Sequence, residues 1–287
     1  MSPVFPWYYI WSPKYEIFHR ILHSSIHHLE GQGFQIRPQF FPQSFFDKGL
    51  STDPTKHAFE GLSIKLKLLV WALEKHVGQH VLISDADLIV TNPDALYTYL
   101  QNYTDKDQSS AEQGSARDIV FMAESREHPT ANLGFGMVKS TPHTIAFFKR
   151  LAEHIDAEGG HDQTLYNVWI EEGRFEGSTG VFSLPEMLQS NNYTQEMEAA
   201  IEKDPSSMPM NIMVQFLCSQ SNYVANTVEK LKSALCFVDI SEIIGCVSEE
   251  VFEDLKSDLD PEHPLHGVSY PQTGSKSVPQ SNPAHTE

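Results

Sequence analysis

Residues 80–93, HVLISDADLIVTNP, constrain this chain more than any other stretch. Val81, Leu82 and Ile83 form an unbroken apolar run that ends in Ser84-Asp85-Ala86-Asp87, with Gly78 before it and Asn92-Pro93 after it. A strand that is apolar on both faces is buried on both faces, which is the condition of a central strand in a parallel sheet covered by helices. Open α/β sheets bind their ligands beyond the carboxyl ends of such strands. Asp85 and Asp87 therefore arrive, at i and i+2, where a ligand sits. Two carboxylates so close repel one another unless a cation lies between them. A divalent metal holding a diphosphate meets that requirement.

Composition narrows the partners. The 287 residues carry a formal net charge of −18, which argues against nucleic acid and anionic membrane surfaces. An anionic ligand must then be drawn in by local cations: a metal, Lys or Arg side chains, or helix N-termini. A chain of this length can bury roughly 70–75 % of its unfolded surface in one core. The expected organisation is one domain over residues 1–256 and a tail over 257–287, acidic and then rich in Pro and Ser, that stays largely disordered. Cys218, Cys236 and Cys246 are odd in number and contain no CxxC pair, so neither a disulfide framework nor a zinc site is expected. No run approaches eighteen apolar residues and the N-terminus opens no signal-like sequence, so no membrane span and a cytoplasmic location are expected, with a secretory or Golgi setting if the N-terminus is truncated.

Strand and helix signals alternate along the chain. Residues 5–11 are aromatic and β-prone, a helix is expected from Ser12-Pro13 to about 29, and 34–37 reads as a second strand. Residues 38–57 read as loop, and 59–76 as an amphipathic helix leading into the 80–87 strand. A short helix follows Pro93. Strands are expected at 118–124 and 133–139, a helix after Ser140-Thr141-Pro142, and another at 164–170. Further strands are expected at 181–184 and 212–217, and a helix at 223–235. The alternation predicts a doubly wound α/β sheet, mostly parallel. Neither GxGxxG nor GxxxxGK[ST] occurs, so no dinucleotide fingerprint or P-loop is present.

Four segments occur in a telling order: FEGLSIKLKLLVWALEKHVGQHVLISDADLIVTNP, TANLGFGMVKST, HDQTLYN and QSNYVANTVEKL. Together they resemble the nucleotide-diphospho-sugar transferases of the GT-A fold, in particular glycosyltransferase families 77 and 8. The resemblance implies a glycosyltransferase that moves a sugar from a nucleoside-diphosphate donor to a hydroxyl of a glycan, glycoconjugate or protein, with Mn2+ or Mg2+ as cofactor and retention of configuration. It implies Asp85 and Asp87 as the metal-binding DxD, Asp85 also touching the donor. It implies Lys65, or Lys67 in its place, and Lys230 at the donor phosphates. Asn132 with Gly134 and Gly136 would line the donor sugar, and Asp162 and Gln163 would lie at the reacting centre. The family's third metal ligand is a His; Gln220 stands in that position here, and His263 and His266 offer a substitute. Trp7, Tyr8, Tyr9 and Trp11 fit a first strand that stacks the nucleotide base, with Tyr9 the chosen contact. A catalytically weakened sugar-nucleotide-binding protein and a phosphatase of the haloacid dehalogenase type are the alternatives. The phosphatase pattern is poorer, because its fifth position is Ile89 and a whole α/β unit precedes the motif.

Overall fold

The structure, a computed structural model, describes residues 3–42, 60–104, 117–124, 130–182, 187–189, 212–216, 223–235 and 243–259. Its spine is a six-stranded sheet. β1 (Phe5–Trp11) lies between β2 (Phe34–Phe40) and β3 (His80–Ser84), parallel to both. β6 (Ala131–Lys139) then runs antiparallel between β3 and β5 (Ile119–Ala123), and β7 (Thr179–Val181) closes the far edge parallel to β5. The order is β2-β1-β3-β6-β5-β7. The expected mostly parallel sheet is present, with the 80–84 strand near its middle and one reversed strand, β6, beside it.

Alternation along the strands divides the core into two layers. Trp7, Tyr9, Leu82, Met137 and Phe135 face one side, where α1 (Glu16–Ile26), α3 (Pro93–Gln101) and α6 (Tyr223–Leu235) pack. Tyr8, Val81, Ile83, Phe121 and Val138 face α2 (Glu60–Lys75), α4 (Pro142–Glu158) and α5 (Asp162–Glu171) on the other. Helix starts follow local chemistry. The Asn92 side chain accepts the Ala95 N–H ahead of α3, and Thr141 and Thr144 form a reciprocal capping box ahead of α4, with Pro at the first position of each helix.

Several expectations are revised. One strand had no sequence assignment: Leu88–Val90, after the DxD, forms β4, the edge of a second sheet with β9 (Met213–Gln215) and β8 (Met187–Gln189). Asp85 and Asp87 thus occupy the switch between two sheets. β2 continues through Pro38 to Phe40, which an edge strand tolerates because the missing N–H faces no partner. The acidic stretch after Ser248 is helical: α7 (Glu249–Asp258) starts at a Ser248 cap and buries Val251, Phe252 and Leu255 beside Val228, Leu231 and Ala234 of α6. It runs two residues past the expected domain end at 256. The stretches 43–57 and 105–116, and the tail beyond 259 with His263 and His266, lie outside the described residues. No described helix is long and apolar enough to cross a membrane.

Phe252→Ala should therefore lower stability by about 3–5 kcal/mol, whereas Glu253→Ala on the exposed side should change it by less than about 0.5 kcal/mol. Urea unfolding of both variants checks that this helix is part of the core.

Candidate active site

The site is built where β3 ends. Its carboxyl terminus is fixed by the Trp7 indole N–H, which donates to the buried Ser84 hydroxyl at 2.9 Å. The register of β5 against β6 shifts after Phe121, from Gly136 opposite Phe121 to Asn132 opposite Met122, so residues 133–135 bulge away from β5. Bulges re-aim a strand locally, and this one brings the Gly134 carbonyl over the DxD turn, where it accepts the Asp85 N–H at 2.8 Å. The glycines of β6 serve neighbours within the protein. A Cβ at Gly134 would run into the Gln215 amide, and one at Gly136 into the Phe121 ring.

Lys65, one helical face of α2, ties three segments together. Its ammonium lies 3.1 Å from Asp85 Oδ1 and 3.3 Å from Asp162 Oδ2, and donates to the Leu133 carbonyl at 3.3 Å. Burial works against the charged amine, but the Asp162 and Asp85 carboxylates outweigh it and raise its pKa. Lys67 points elsewhere, to Asp156 at 2.7 Å on the exposed side of α2. Asp162 is the first residue of α5 and 1 % exposed, its Oδ1 accepting the Gln163 N–H at 2.8 Å. Burial pushes the Asp85 carboxyl up to about 6; the Lys65 ammonium opposes this, while Asp87 and Asp162 add to it.

The next shell contains a residue that the sequence did not single out. Glu124 Oε2 accepts both the Asn132 amide, at 2.9 Å, and the Gln163 amide, at 2.8 Å. Asn132 Oδ1 in turn accepts the Gly134 N–H at 2.7 Å. Asn167 holds α5 against β6 through paired bonds to the Ala131 backbone. Hydrogen bonds, with the Lys65–Asp162 ion pair as one link, join Lys65, Asp85, Asn132, Gly134, Asp162 and Gln163 in a ring closed by Glu124. Its position directly after an apolar strand, like that of Asp85, was the available signal.

From α6, the Lys230 ammonium is ion-paired with Asp87 Oδ2. Both residues are buried, and among the described residues Asp87 Oδ1 has no hydrogen-bond partner. Gln215 ends β9 and pairs in register with Leu88, while the Phe216 N–H donates to the Asp87 carbonyl at 2.9 Å. Gln215 is 3 % exposed, and its Oε1 also lacks a partner among the described residues. Gln220, expected as a ligand, lies outside the described residues. Tyr9 stands apart from the cluster: its ring is in the core and its hydroxyl bonds His19 Nδ1 at 3.0 Å. Trp7 and Tyr8 are buried too, and Trp11 is stacked on His19 at 4.2 Å. Tyr15 is 37 % exposed, with the Lys230 Nζ 5.6 Å from its ring centre.

Among the described residues no group of three or more His, Cys, Asp and Glu side chains could hold a metal ion. Two carboxylates and the orphaned amide oxygen of Gln215 are a set of hard oxygen donors. Such a set suits Mg2+ or Mn2+, ions that complete their coordination with phosphate oxygens and water.

Two outcomes follow. Asp85 should titrate near pH 6 in ¹³C-carboxylate NMR, and above that in Lys65→Met, which removes the opposing cation. Because its folded pKa is raised, its contribution to stability is full below the ordinary value of 3.8 and is lost as pH rises through about 6. Glu124→Ala should cost about 1–3 kcal/mol in urea unfolding, by stranding the two amide donors, with Glu124→Gln retaining most of it.

The family model described as nucleotide-diphospho-sugar transferase matches residues 65–222, more than half of the chain. Among solved structures, the chain is similar to a glycosyltransferase involved in the glycosylation of the major capsid of PBCV-1, with 15 % identity, 81 % of this chain and 100 % of that chain covered, and a TM-score of 0.53. Apo-form glycosyltransferase GlyE from Streptococcus pneumoniae TIGR4 gives 12 % identity over 84 % and 62 % of the two chains, at TM-score 0.48. Galactosyltransferase LgtC in complex with donor and acceptor sugar analogs gives 14 % identity over 85 % and 98 %, at TM-score 0.42. No curated protein sequence matches the chain.

Proposed function

The chain belongs to the nucleotide-diphospho-sugar transferase family and is a glycosyltransferase of GT-A fold, and from that premise we propose that it transfers its sugar with the help of a divalent cation held at Asp85 and Asp87. The observation that carries the reading is the pair of partnerless buried oxygens, Asp87 Oδ1 and Gln215 Oε1, on adjoining strand ends. Asp85, Asp87 and Gln215 would hold Mn2+ or Mg2+, which when bound stabilises the charge growing on the leaving diphosphate as a Lewis acid. Lys230 and Lys65 supply the remaining positive charge, Lys65 from within its bridge to Asp85 and Asp162. The nucleoside would rest against Tyr15, the exposed aromatic ring beside Lys230.

Asn132 and Gln163, their amides fixed by Glu124, would orient the donor sugar and the acceptor hydroxyl. In the transfer, the bond from the anomeric carbon to the diphosphate oxygen breaks and a bond to the acceptor oxygen forms. The acceptor proton must leave with a base. Asp162 is poorly suited to that role, because it is enclosed, its Oδ1 accepts a backbone N–H and its Oδ2 faces Lys65. This supports the leaving diphosphate as the proton acceptor and hence retention of configuration, with Asp162 and Gln163 positioning rather than deprotonating.

A thermal-shift screen of nucleoside diphosphates and nucleotide sugars, each with and without Mn2+, tests the reading. One nucleotide at about 100 times its dissociation constant should stabilise the protein by about 2.7 kcal/mol, a shift of about 5 °C or more, only when Mn2+ is present. Asp87→Asn should abolish both that shift and sugar transfer. Equal stabilisation without Mn2+ would overturn the cation's role.

A further inference from the structure

The first helix repeats one residue type along one face. His19, His23 and His27 recur every fourth position, the spacing that sets side chains one above another on a helix. His27 opens the 3₁₀ turn that continues α1. The His19 and His23 ring centres are 5.6 Å apart, and those of His23 and His27 5.7 Å. His19 is held by β1: its ring stacks on Trp11 at 4.2 Å, and its Nδ1 lies 3.0 Å from the Tyr9 hydroxyl. His23 and His27 are exposed, and their ring planes lie within 9° of parallel.

The end of the helix orients the His27 ring. Its Nδ1 lies 3.2 Å from the His23 carbonyl oxygen and 3.0 Å from that of Ser24. Carbonyls only accept, so in the neutral ring Nδ1 carries the hydrogen and Nε2 keeps its lone pair. A backbone carbonyl on the remote nitrogen is the common support of a metal-binding imidazole. His23 offers a second imidazole one turn away. Both carboxylates within residues 16–30 have partners elsewhere. Glu16 is 2.6 Å from Arg20, and Glu30 accepts the Ile36 N–H at 2.6 Å. A donor pair of imidazole nitrogens without carboxylate favours Zn2+, Ni2+ or Cu2+ over Mg2+ or Mn2+.

We propose that His23 and His27 form a separate metal site on α1, binding one ion of the Zn2+ class through an imidazole nitrogen of each, His27 through Nε2, with water completing the coordination. Two histidines four residues apart on one helix share a zinc ion in H-E-x-x-H sites. Two protein ligands make a site of open coordination, unlike the closed four-ligand sites that zinc occupies structurally. Both rings must lean together to place their nitrogens ~2.0–2.1 Å from one ion, a rotation that exposed side chains can make. The site uses no residue of the Asp85–Asp87 cluster.

The test is a Zn2+ titration of the intact protein in excess Mg2+, which competes for oxygen sites and not for imidazole, followed by long-range ¹H–¹⁵N NMR of the histidine rings. Before Zn2+ is added, His27 should show the Nδ1–H tautomer. The His23 and His27 nitrogens should then shift together with one apparent affinity. His23→Gln should weaken Zn2+ binding at His27 by about tenfold or more, because the second ligand is no longer held beside the first. His27→Gln should do the same at His23. Both residues are exposed, so metal-free variants should keep the wild-type Tm. Unchanged Zn2+ affinity at His27 in the His23 variant overturns the proposal, as do rings that respond at different Zn2+ concentrations or not at all. None of these failures touches the reading of the Asp85–Asp87 site.

Discussion

The ammonium of Lys65, held between Asp85 and Asp162, is the contact on which the rest of the site depends. It joins the end of β3 to the start of α5 and reaches the β6 backbone at Leu133. Asp85 and Asp162 are far apart in sequence and would repel one another if brought together unaided. The shared cation makes their approach favourable, and their combined charge keeps that cation protonated despite burial. Asp85, Asp87, Asp162 and Glu124 outnumber the ammonium groups of Lys65 and Lys230, so the cluster carries net negative charge.

The reversed strand β6 is what lets one sheet gather these groups. Running antiparallel between β3 and β5, it enters the site from the end at which β3 and β5 leave it. Its bulged segment then covers the DxD turn, and its Asn132 reaches the Glu124 carboxylate at the end of β5. The second sheet performs a similar service from the other side. β9 pairs with β4 directly after Asp87, so Gln215 is placed opposite Leu88, beside the turn, by strand register rather than by a loop. Ligand groups on rigid strand ends hold their geometry more closely than groups on loops.

Much of the architecture was legible because burial leaves a local trace. The apolar run Val81–Leu82–Ile83 announced a strand covered on both sides, and Pro93 and Thr141-Pro142 announced helix starts. The signals failed where local and tertiary preferences diverged. Leu88–Val90 drew no strand assignment, because the chain turns at the two carboxylates and this short run pairs in a second sheet. The acidic surface of α7 masked Val251, Phe252 and Leu255, three apolar residues at helical spacing that the core takes up. Tyr9, expected at the nucleotide base from its place on β1, lies in the core with its hydroxyl on His19, and Tyr15 is an exposed ring 5.6 Å from the Lys230 ammonium.

By itself the sequence determined the α/β class, the DxD at a strand end, and the identity of most of the ionic residues. These depend on periodicity and on neighbours a few positions apart, which a linear chain records. Only the tertiary structure decided which partner each polar group would have. Asp87 meets Lys230 and lies beside Gln215, and Glu124 meets Gln163, across separations that no local pattern encodes. Those pairings are set by strand order, by the reversal of β6 and by the bulge in it. Once the apolar faces are buried, each enclosed charge or amide must find its partner among whatever groups the sheet brings within reach.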